Sequence, residues 1–140
     1  MALSSNRDVQ FYTSQALVDF PVDDNVTIYK GALVGINAAN GYARPLVAGD
    51  EFAGVCYAQA DNTASGHTAG GIRVRLHQGI DIVQWLTGAG QTDIGKEVYA
   101  SDDGTLTLTA SGNSRVGRIA AIEGTNLVRV RCHPIASVTA

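Results

Sequence analysis

The sequence has few of the residues from which catalytic and metal-binding motifs are built. Its 140 residues include two cysteines, Cys56 and Cys132, and three histidines, His67, His77 and His133. They form no C-x-x-C, H-x-H or H-E-x-x-H spacing, so the sequence indicates neither a zinc site nor a redox motif. A G-x-S-x-G nucleophile elbow is also absent. Because no pattern couples a nucleophile, a base and an orienting group, we expect a protein that is not an enzyme and that needs no cofactor or metal.

Two segments resemble ligand-binding loops only in outline. Residues 88–95, GAGQTDIG, are glycine-rich like a phosphate-binding loop, but they lack its Lys-Ser/Thr ending. Asp102 and Asp103 lack the ligand spacing of a calcium loop, so we expect them to shape a turn. Cys56 and Cys132 lie in apolar, strand-like runs; buried free thiols are the favoured interpretation, and a disulfide between them stays open.

Charge of either sign is also scarce. Only 16% of the residues are charged and the net charge is −3. Residues 1–70 carry three basic and seven acidic side chains, and residues 71–140 carry seven basic and six acidic ones. General nucleic-acid binding requires a basic stripe, so no direct contact with nucleic acid is expected.

Long apolar runs are missing as well. No stretch approaches the roughly 18 apolar residues of a membrane helix, so we expect no membrane contact. The first residues, MALSSNRDVQFYTSQ, lack a basic region followed by an apolar run, which is the pattern of a signal peptide. Synthesis in a cytoplasm is therefore expected.

The residues that are abundant favour short strands joined by tight turns. Glycine occurs 16 times, and valine, isoleucine, threonine and alanine dominate much of the rest. No long helical period is visible, and turn signals recur every 8–12 residues or so. The sequence therefore predicts an all-β fold: a small, glycine-rich β-barrel or sandwich of roughly 8–10 short strands. This compact β domain is assigned to residues 26–140.

Residues 1–25 show no clear period and are predicted to form an extended N-terminal arm. Segments of this kind are commonly frayed ends. The alternative is a segment that becomes ordered on a partner, for which Phe11, Tyr12 and Phe20 supply apolar surface. The sequence leaves both alternatives open.

Local signals mark several turns of the β domain. Asn40–Gly41 predicts a two-residue hairpin, because both positions of such a turn favour positive φ. Residues 72–86 are predicted to form one or two strands, broken near Gly79, and the end of the chain is predicted to form two strands joined across residues 123–126. Trp85, the only tryptophan, is predicted to lie in the core, with an interface position as the alternative.

Two segments share an arginine-alternating pattern. IRVRLH (72–77) and VRVRCH (128–133) place apolar side chains on one face and Arg and His on the other. The simplest interpretation is a solvated outer face. Neighbouring strands of this kind would set like charges against each other, so the strands lie apart or carboxylates meet them. Those carboxylates either are internal, with Asp81, Glu97 and Glu123 as candidates, or belong to another subunit. The candidate interface residues are Phe11, Tyr12, Phe20, Arg73, Arg75, Arg129 and Arg131.

A weak internal sequence repeat includes these segments. AGVCYA (53–58) precedes IRVRLH, and VGRIAA (116–121) precedes VRVRCH. Few residues are identical between the two copies. Both duplication of one unit and independent convergence on strand-like sequence therefore explain the repeat.

Five stretches occur in an order that is typical of one protein family. They are KGALVGI (30–36), DEFAGVCYA (50–58), the glycine-rich loop before IRVRL, TDIGKEVYASDDGTLTLT (92–109) and RVGRIAAI (115–122). In this order they resemble the small capsid cement, or head decoration, proteins of tailed bacteriophages. The resemblance runs from about Lys30 to the C-terminus and depends on the combined order of the stretches, not on one motif.

This resemblance implies a homotrimer that binds the major capsid protein on the outer surface of an expanded phage head. Such trimers stabilise the shell against internal DNA pressure, and no catalytic residue is carried over. It also implies a location on the virion after synthesis in the cytoplasm of the bacterial host. In such proteins an N-terminal arm often reaches onto the shell or a neighbouring subunit. The alternative function is a non-catalytic β-rich module that binds a receptor or a carbohydrate on a virion or cell surface.

Overall fold

A computed structural model describes residues 17–134 of the chain and shows an all-β fold. The strands are β1 (Leu17–Pro21), β2 (Thr27–Ile28), β3 (Leu33–Ile36), β4 (Ala43–Pro45), β5 (Glu51–Cys56), β6 (Ala60–Asp61), β7 (Arg73–His77), β8 (Asp81–Trp85), β9 (Glu97–Ala100), β10 (Leu106–Thr107), β11 (Ser114–Gly124) and β12 (Leu127–Cys132). One short 3-10 helix, Gln91–Asp93, is the sole helical element of this region. The prediction of an all-β fold is confirmed, and the twelve strands exceed the predicted number because three of them are two residues long.

The strands form two five-stranded antiparallel sheets and a small ribbon. The first sheet has the order β1-β7-β5-β3-β4, and the second has the order β10-β9-β11-β12-β8. The ribbon pairs β2 with β6. Neither of these sheets closes on itself, so the fold is sandwich-like and not a barrel.

Two apolar clusters hold the layers together. The first lies between the two sheets, where Leu33, Phe52 and Val55 of the first sheet meet the inward side chains of the second, such as Ile82 and Val130. The second cluster lies on the opposite face of the first sheet and includes Val34, Val74 and Leu76 from that sheet. Ile28 and Ala60 of the ribbon cover it. The first sheet is therefore buried on both faces, and the second on one.

Several predicted turns are found where the sequence placed them. Gly79, with φ +65°, separates β7 from β8, and Asn126, with φ +57°, lies in the turn between β11 and β12. Asp102 shapes the β9–β10 turn, because its carboxylate accepts hydrogen bonds from the Gly104 N–H at 2.8 Å and the Thr105 hydroxyl at 3.2 Å.

The two-residue hairpin predicted at Asn40–Gly41 is wrong. Strands β3 and β4 do pair, but Ile36 lies opposite Ala43, so six residues form the loop. Asn40 turns its side-chain amide toward the buried Asp23 carboxylate, 2.9 Å away, and only Gly41 has positive φ. A long-range hydrogen bond thus replaces the local turn geometry that the dipeptide favours.

Part of the predicted N-terminal arm belongs to the first sheet. Leu17–Pro21 pairs with Arg73–His77 along its whole length. Phe20 lies opposite Val74 and packs against the second apolar cluster. The remainder of the arm before Leu17, which contains Phe11 and Tyr12, lies outside the described residues.

The two sheets repeat one topology. Matching β1, β3, β4, β5 and β7 in chain order to β8, β9, β10, β11 and β12 converts the strand order of the first sheet into that of the second. The agreement extends to single hydrogen bonds. Gly31 and Gly95, with φ +85° and +87°, donate their N–H groups to the carbonyls of Cys56 and Ile119 at 2.9 and 2.8 Å.

The same irregularity also occurs in both sheets. The β3–β5 ladder shifts register between Val34 and Gly35, and the β9–β11 ladder shifts between Arg115 and Gly117. Bulges at matching positions are specific features of a fold. Shared order, hydrogen bonds and bulge favour duplication of one unit over convergence of two strand-like sequences.

The two matching halves of the chain, β1–β7 and β8–β12, pack so that equivalent faces of their five-stranded sheets point in the same direction. Leu33, Phe52 and Val55, on the face of the first sheet that the second sheet covers, match Glu97, Arg115 and Arg118 of the second sheet. The equivalent face of the second sheet carries charged side chains, and no other layer of the described residues covers it. Terminal units of stacked repeats present a polar outer face for the same reason. We call this surface, which β8, β12, β11 and β9 form, the outer face.

Candidate interaction surfaces

The first pair of candidate arginines lies on β7 beside β1. Arg75 lies opposite Asp19, and its Nε is 3.1 Å from the carboxylate Oδ1. Arg73 lies opposite Pro21 and donates from Nη2 to the Asp19 carbonyl at 3.2 Å. The arginines and Asp19 border a shallow cleft of about 290 Å³, to which Tyr57 and residues 58–59 also contribute.

The second pair lies on β12, in the other sheet, so the two arginine-alternating strands are not neighbours. Arg131 lies opposite Asp81 and makes a two-point ion pair with it, at 3.1 and 3.2 Å. Arg129 pairs with Glu123 at 2.7 Å. A cross-strand Arg–Asp pair thus occurs in both sheets, although not at matching positions, because Arg131 occupies the position of His77.

Carboxylates of the same chain therefore meet three of the four candidate arginines. Of the alternatives that the sequence leaves open, the internal one describes this structure. Glu97 belongs to the same outer face, where it pairs with Arg115 and lies 3.9 Å from Arg118. The outer face thus carries arginines held in place by ion pairs, and each keeps an exposed side that is available to a partner.

Trp85 lies on the surface, so the prediction of a core position is wrong. It is the last residue of β8, and 58% of its area is exposed. Ile82 and Gln84 alternate with it and point inward, which leaves Trp85 on the outer face. Its indole N–H donates to the Thr87 hydroxyl at 2.9 Å, which orients the ring. An exposed, oriented tryptophan on the same face as arginines is typical of the residues that dominate binding energies.

The prediction that His77 shares an exposed face with Arg73 and Arg75 is also wrong. His77 lies opposite Val55 on the buried part of that face and is 3% exposed. Its ring meets that of Tyr57 edge to face, with 5.2 Å between the centroids. No group among residues 17–134 makes a hydrogen bond to its Nε2. Burial lowers the pKa of His77, so the neutral ring is favoured.

A polar cleft of about 310 Å³ lies where residues 49–52 meet residues 113–115 and His133. Its polar groups bind one another. Asp50 accepts two hydrogen bonds from Arg44, at 3.0 and 2.8 Å, and the Ser114 hydroxyl accepts one from the Gly49 N–H at 3.0 Å. Burial lowers the pKa of His133, and the nearby arginines 115, 118 and 131 lower it further. Within the described part of the chain, no cluster of three or more His, Cys, Asp or Glu side chains could hold a metal ion.

The two cysteines are free and buried, as the sequence favours. Burial raises the pKa of Cys56 to about 11, and burial likewise raises the pKa of Cys132. Neither side chain is a reactive thiolate at neutral pH.

Comparisons of the chain with protein-family models, with curated proteins and with solved structures find no match. Among residues 17–134 there is also no helix whose length and apolar character would let it span a membrane.

Proposed function

We propose that this chain is a capsid decoration protein, which binds the outer surface of an expanded phage head as a homotrimer and stabilises it against internal DNA pressure. Its partners are the major capsid protein of the same phage and other copies of itself. It is made in the cytoplasm of the bacterial host and resides on the virion. In this role it performs no catalysis.

The observation that carries the proposal is the rigid, charged outer face of the second sheet. Its arginines are fixed by ion pairs to Asp81, Glu97 and Glu123. A cement protein binds through many weak contacts around a symmetry axis, which add up by avidity. Rigid surfaces suit this mode of binding, because all the contacts must form at the same time. Two stacked sheets with two apolar clusters supply this rigidity. The family resemblance of residues 30–140 supports the same function.

The arrangement of polar groups also supports a binding function over a catalytic one. Several carboxylates are engaged by arginines or by backbone N–H groups, as Asp50 is by Arg44 and Val47. Catalysis requires a group with a free proton-accepting or nucleophilic atom directed at a substrate.

The direct test is binding to expanded heads that lack the protein. We expect the full chain to sediment with such heads and to reach a fixed ratio of copies to capsid protein at saturation. A variant with Arg73→Glu and Arg129→Glu reverses one charge in each sheet. We expect it to lose at least about tenfold in affinity, because interfacial charges that face the wrong sign repel the partner.

Lys30→Glu is the matched control, because it reverses one exposed positive charge in the turn after β2. We expect it to bind like the parent. Thermal melts of all variants show whether each one is folded. Recovery of the folded parent protein in the supernatant, with its native heads in the pellet, would overturn the proposal.

A further inference from the structure

Strand β8 forms an open edge of the second sheet. The Leu86 N–H donates to the Asn126 carbonyl at 2.8 Å, and the Cys132 N–H donates to the Ile80 carbonyl at 3.1 Å. In an antiparallel ladder the bonded residues alternate, so Ile82 and Gln84 also bond to β12. The N–H and C=O groups of Asp81, Val83 and Trp85 therefore point away from β12. No strand among residues 17–134 pairs with them.

The other sheet edges in this region carry features that block strand addition. Pro21 lies in β1, Pro45 lies in β4, and β10 has only two residues. Proline removes a donor from an edge, and short strands offer little to pair with. Strand β8 has five residues, no proline and no register shift against β12. It is the regular and unprotected edge of the described structure.

The internal repeat shows which residue makes the difference. Pro21 lies opposite Arg73, and Trp85 lies opposite Leu127 at the matching position of the second sheet, since the Val22 N–H donates to Ile72 as the Leu86 N–H does to Asn126. The backbone nitrogen at this position points to the open edge in both sheets. The first half therefore has a proline where the second half has Trp85, whose backbone N–H points to the open edge.

The β8 edge is complementary to itself. Antiparallel pairing with a second β8 around Val83 sets Asp81 opposite Trp85 of the other copy, and this is the register that pairs all three outward-pointing residues. No two carboxylates then face each other. Each Trp85 lies beside the Asp81–Arg131 ion pair of the second copy, where its ring can cover the guanidinium. Three such residue pairs exchange about six backbone hydrogen bonds.

We propose that β8 pairs with β8 of a second copy about a two-fold axis at Val83, which joins two five-stranded sheets into one continuous sheet. A strand edge of this length buries less than the roughly 1,000 Å² of a stable interface, so the contact is weak in isolation. Where the proposed function holds, trimers at neighbouring three-fold positions are related by local two-folds, and this contact links them into a network. The pairing itself does not depend on a capsid and is tested in free solution.

Disulfide trapping tests the register. We expect Val83→Cys to form a disulfide-linked dimer on mild oxidation, because directly opposed residues of a bonded pair have Cα atoms about 5.5 Å apart. Both native cysteines are buried and do not interfere. Trp85→Cys is the control on the same strand, since this register places the two copies of residue 85 four residues apart along the strands. Tyr29→Cys, at a side chain that is 61% exposed, measures random collision.

Sedimentation equilibrium tests the strength of the contact. Val83→Pro removes the central edge donor without removing a β8–β12 hydrogen bond. We expect it to lower the association constant of the contact at least about tenfold, and Val83→Lys to do the same with the backbone donor intact. Equal cross-linking of the three cysteine variants, or unchanged association of both the Pro and the Lys variant, would overturn the proposal. Failure of head binding with intact cross-linking at residue 83 would overturn only the proposed function.

Discussion

Arg131 and Asp81 face each other across β12 and β8, and the guanidinium meets the carboxylate at two points, 3.1 and 3.2 Å apart. A similar pair in the first sheet, Arg75 and Asp19, has the same 3.1 Å contact between Nε and Oδ1. The Asp81 side chain is 16% exposed and that of Asp19 is 44% exposed. The two ion pairs are therefore similar in geometry and differ in their exposure to water.

The two ion pairs should contribute unequally to stability. We expect a double-mutant cycle of Asp81→Ala and Arg131→Ala to give a coupling free energy of about 0.5–1 kcal/mol, because the pair is two-pointed and partly shielded. The same cycle on Asp19 and Arg75 should give less than about 0.5 kcal/mol, since water screens that pair more. Urea unfolding of the single and double variants measures both. A larger coupling for the Asp19 pair would contradict the structure.

Gly117 should not tolerate a side chain. A methyl group there would collide with the Arg131 carbonyl oxygen and would lie 2.8 Å from the carbonyl carbon and 3.0 Å from the Cys132 Cα. We expect Gly117→Ala to lower the free energy of unfolding by about 3 kcal/mol, because two paired strands must move apart. Gly90→Ala is the control, since its methyl group meets nothing within 4 Å and its φ is −140°. Equal stability of the two variants in urea would show that β11 and β12 are not this close.

Stability should decline as the pH falls below about 6.5, the ordinary pKa of histidine. Burial lowers the pKa of His77, so the unfolded chain takes up a proton that the folded chain excludes. The stability is complete above that pH and is lost as the pH falls toward the folded-state pKa. One such group gives a slope of up to about 1.4 kcal/mol per pH unit.

His77→Phe should reduce this slope while it keeps the ring packed against Tyr57. A residual slope is expected from His133, whose pKa is lowered by burial and by neighbouring arginines. Urea unfolding between pH 5 and pH 8 provides the measurement. An unchanged slope in the variant would mean that His77 is solvated in the folded protein.

Both thiols should be unreactive in the folded protein. Cys56 and Cys132 are buried and their pKa values are raised. We expect a thiol reagent at pH 8 to label neither residue on the timescale of minutes, and to label both after unfolding in guanidinium without a reductant. Failure of both thiols to react after unfolding would indicate a disulfide.

The fold could be predicted from the sequence because local signals and burial agree along most of the chain. Period-two alternation marks β7 and β12, and Gly79 separates β7 from β8. The loop at Asn40 could not be predicted, because the Asp23 carboxylate that binds its amide lies 17 positions earlier in the chain. A short stretch of sequence cannot show that a distant hydrogen-bond acceptor competes with the local turn.

The candidate surfaces were only partly predictable. The pattern identified Arg73, Arg75, Arg129 and Arg131 as outward-facing, and one pairing alternative, internal carboxylates, describes three of them. It did not separate buried His77 from the exposed arginines, because burial there depends on Val55 of β5 and on Tyr57, which follows that strand. The apolar character of Trp85 by itself predicts a core position, which is wrong. An outward position follows from counting alternate residues from Ile82, a signal that the sequence did contain.

The shared topology of the two halves was visible only as a faint echo. AGVCYA and VGRIAA share few identical residues, and two segments can adopt the same backbone geometry without sharing residues. What the halves share is carried by backbone features: glycines at positive φ, a bulge, and matching hydrogen bonds between strands. Such features tolerate almost any apolar side chain at the intervening positions.

A cryo-microscopy map of expanded heads incubated with the full chain tests the central claim most directly. The account predicts density for three copies of the two-sheet sandwich at each three-fold position between capsomers, in contact with the shell and absent from untreated heads. Identical maps of treated and untreated heads would contradict it, provided that the protein concentration is far above the concentration of binding sites.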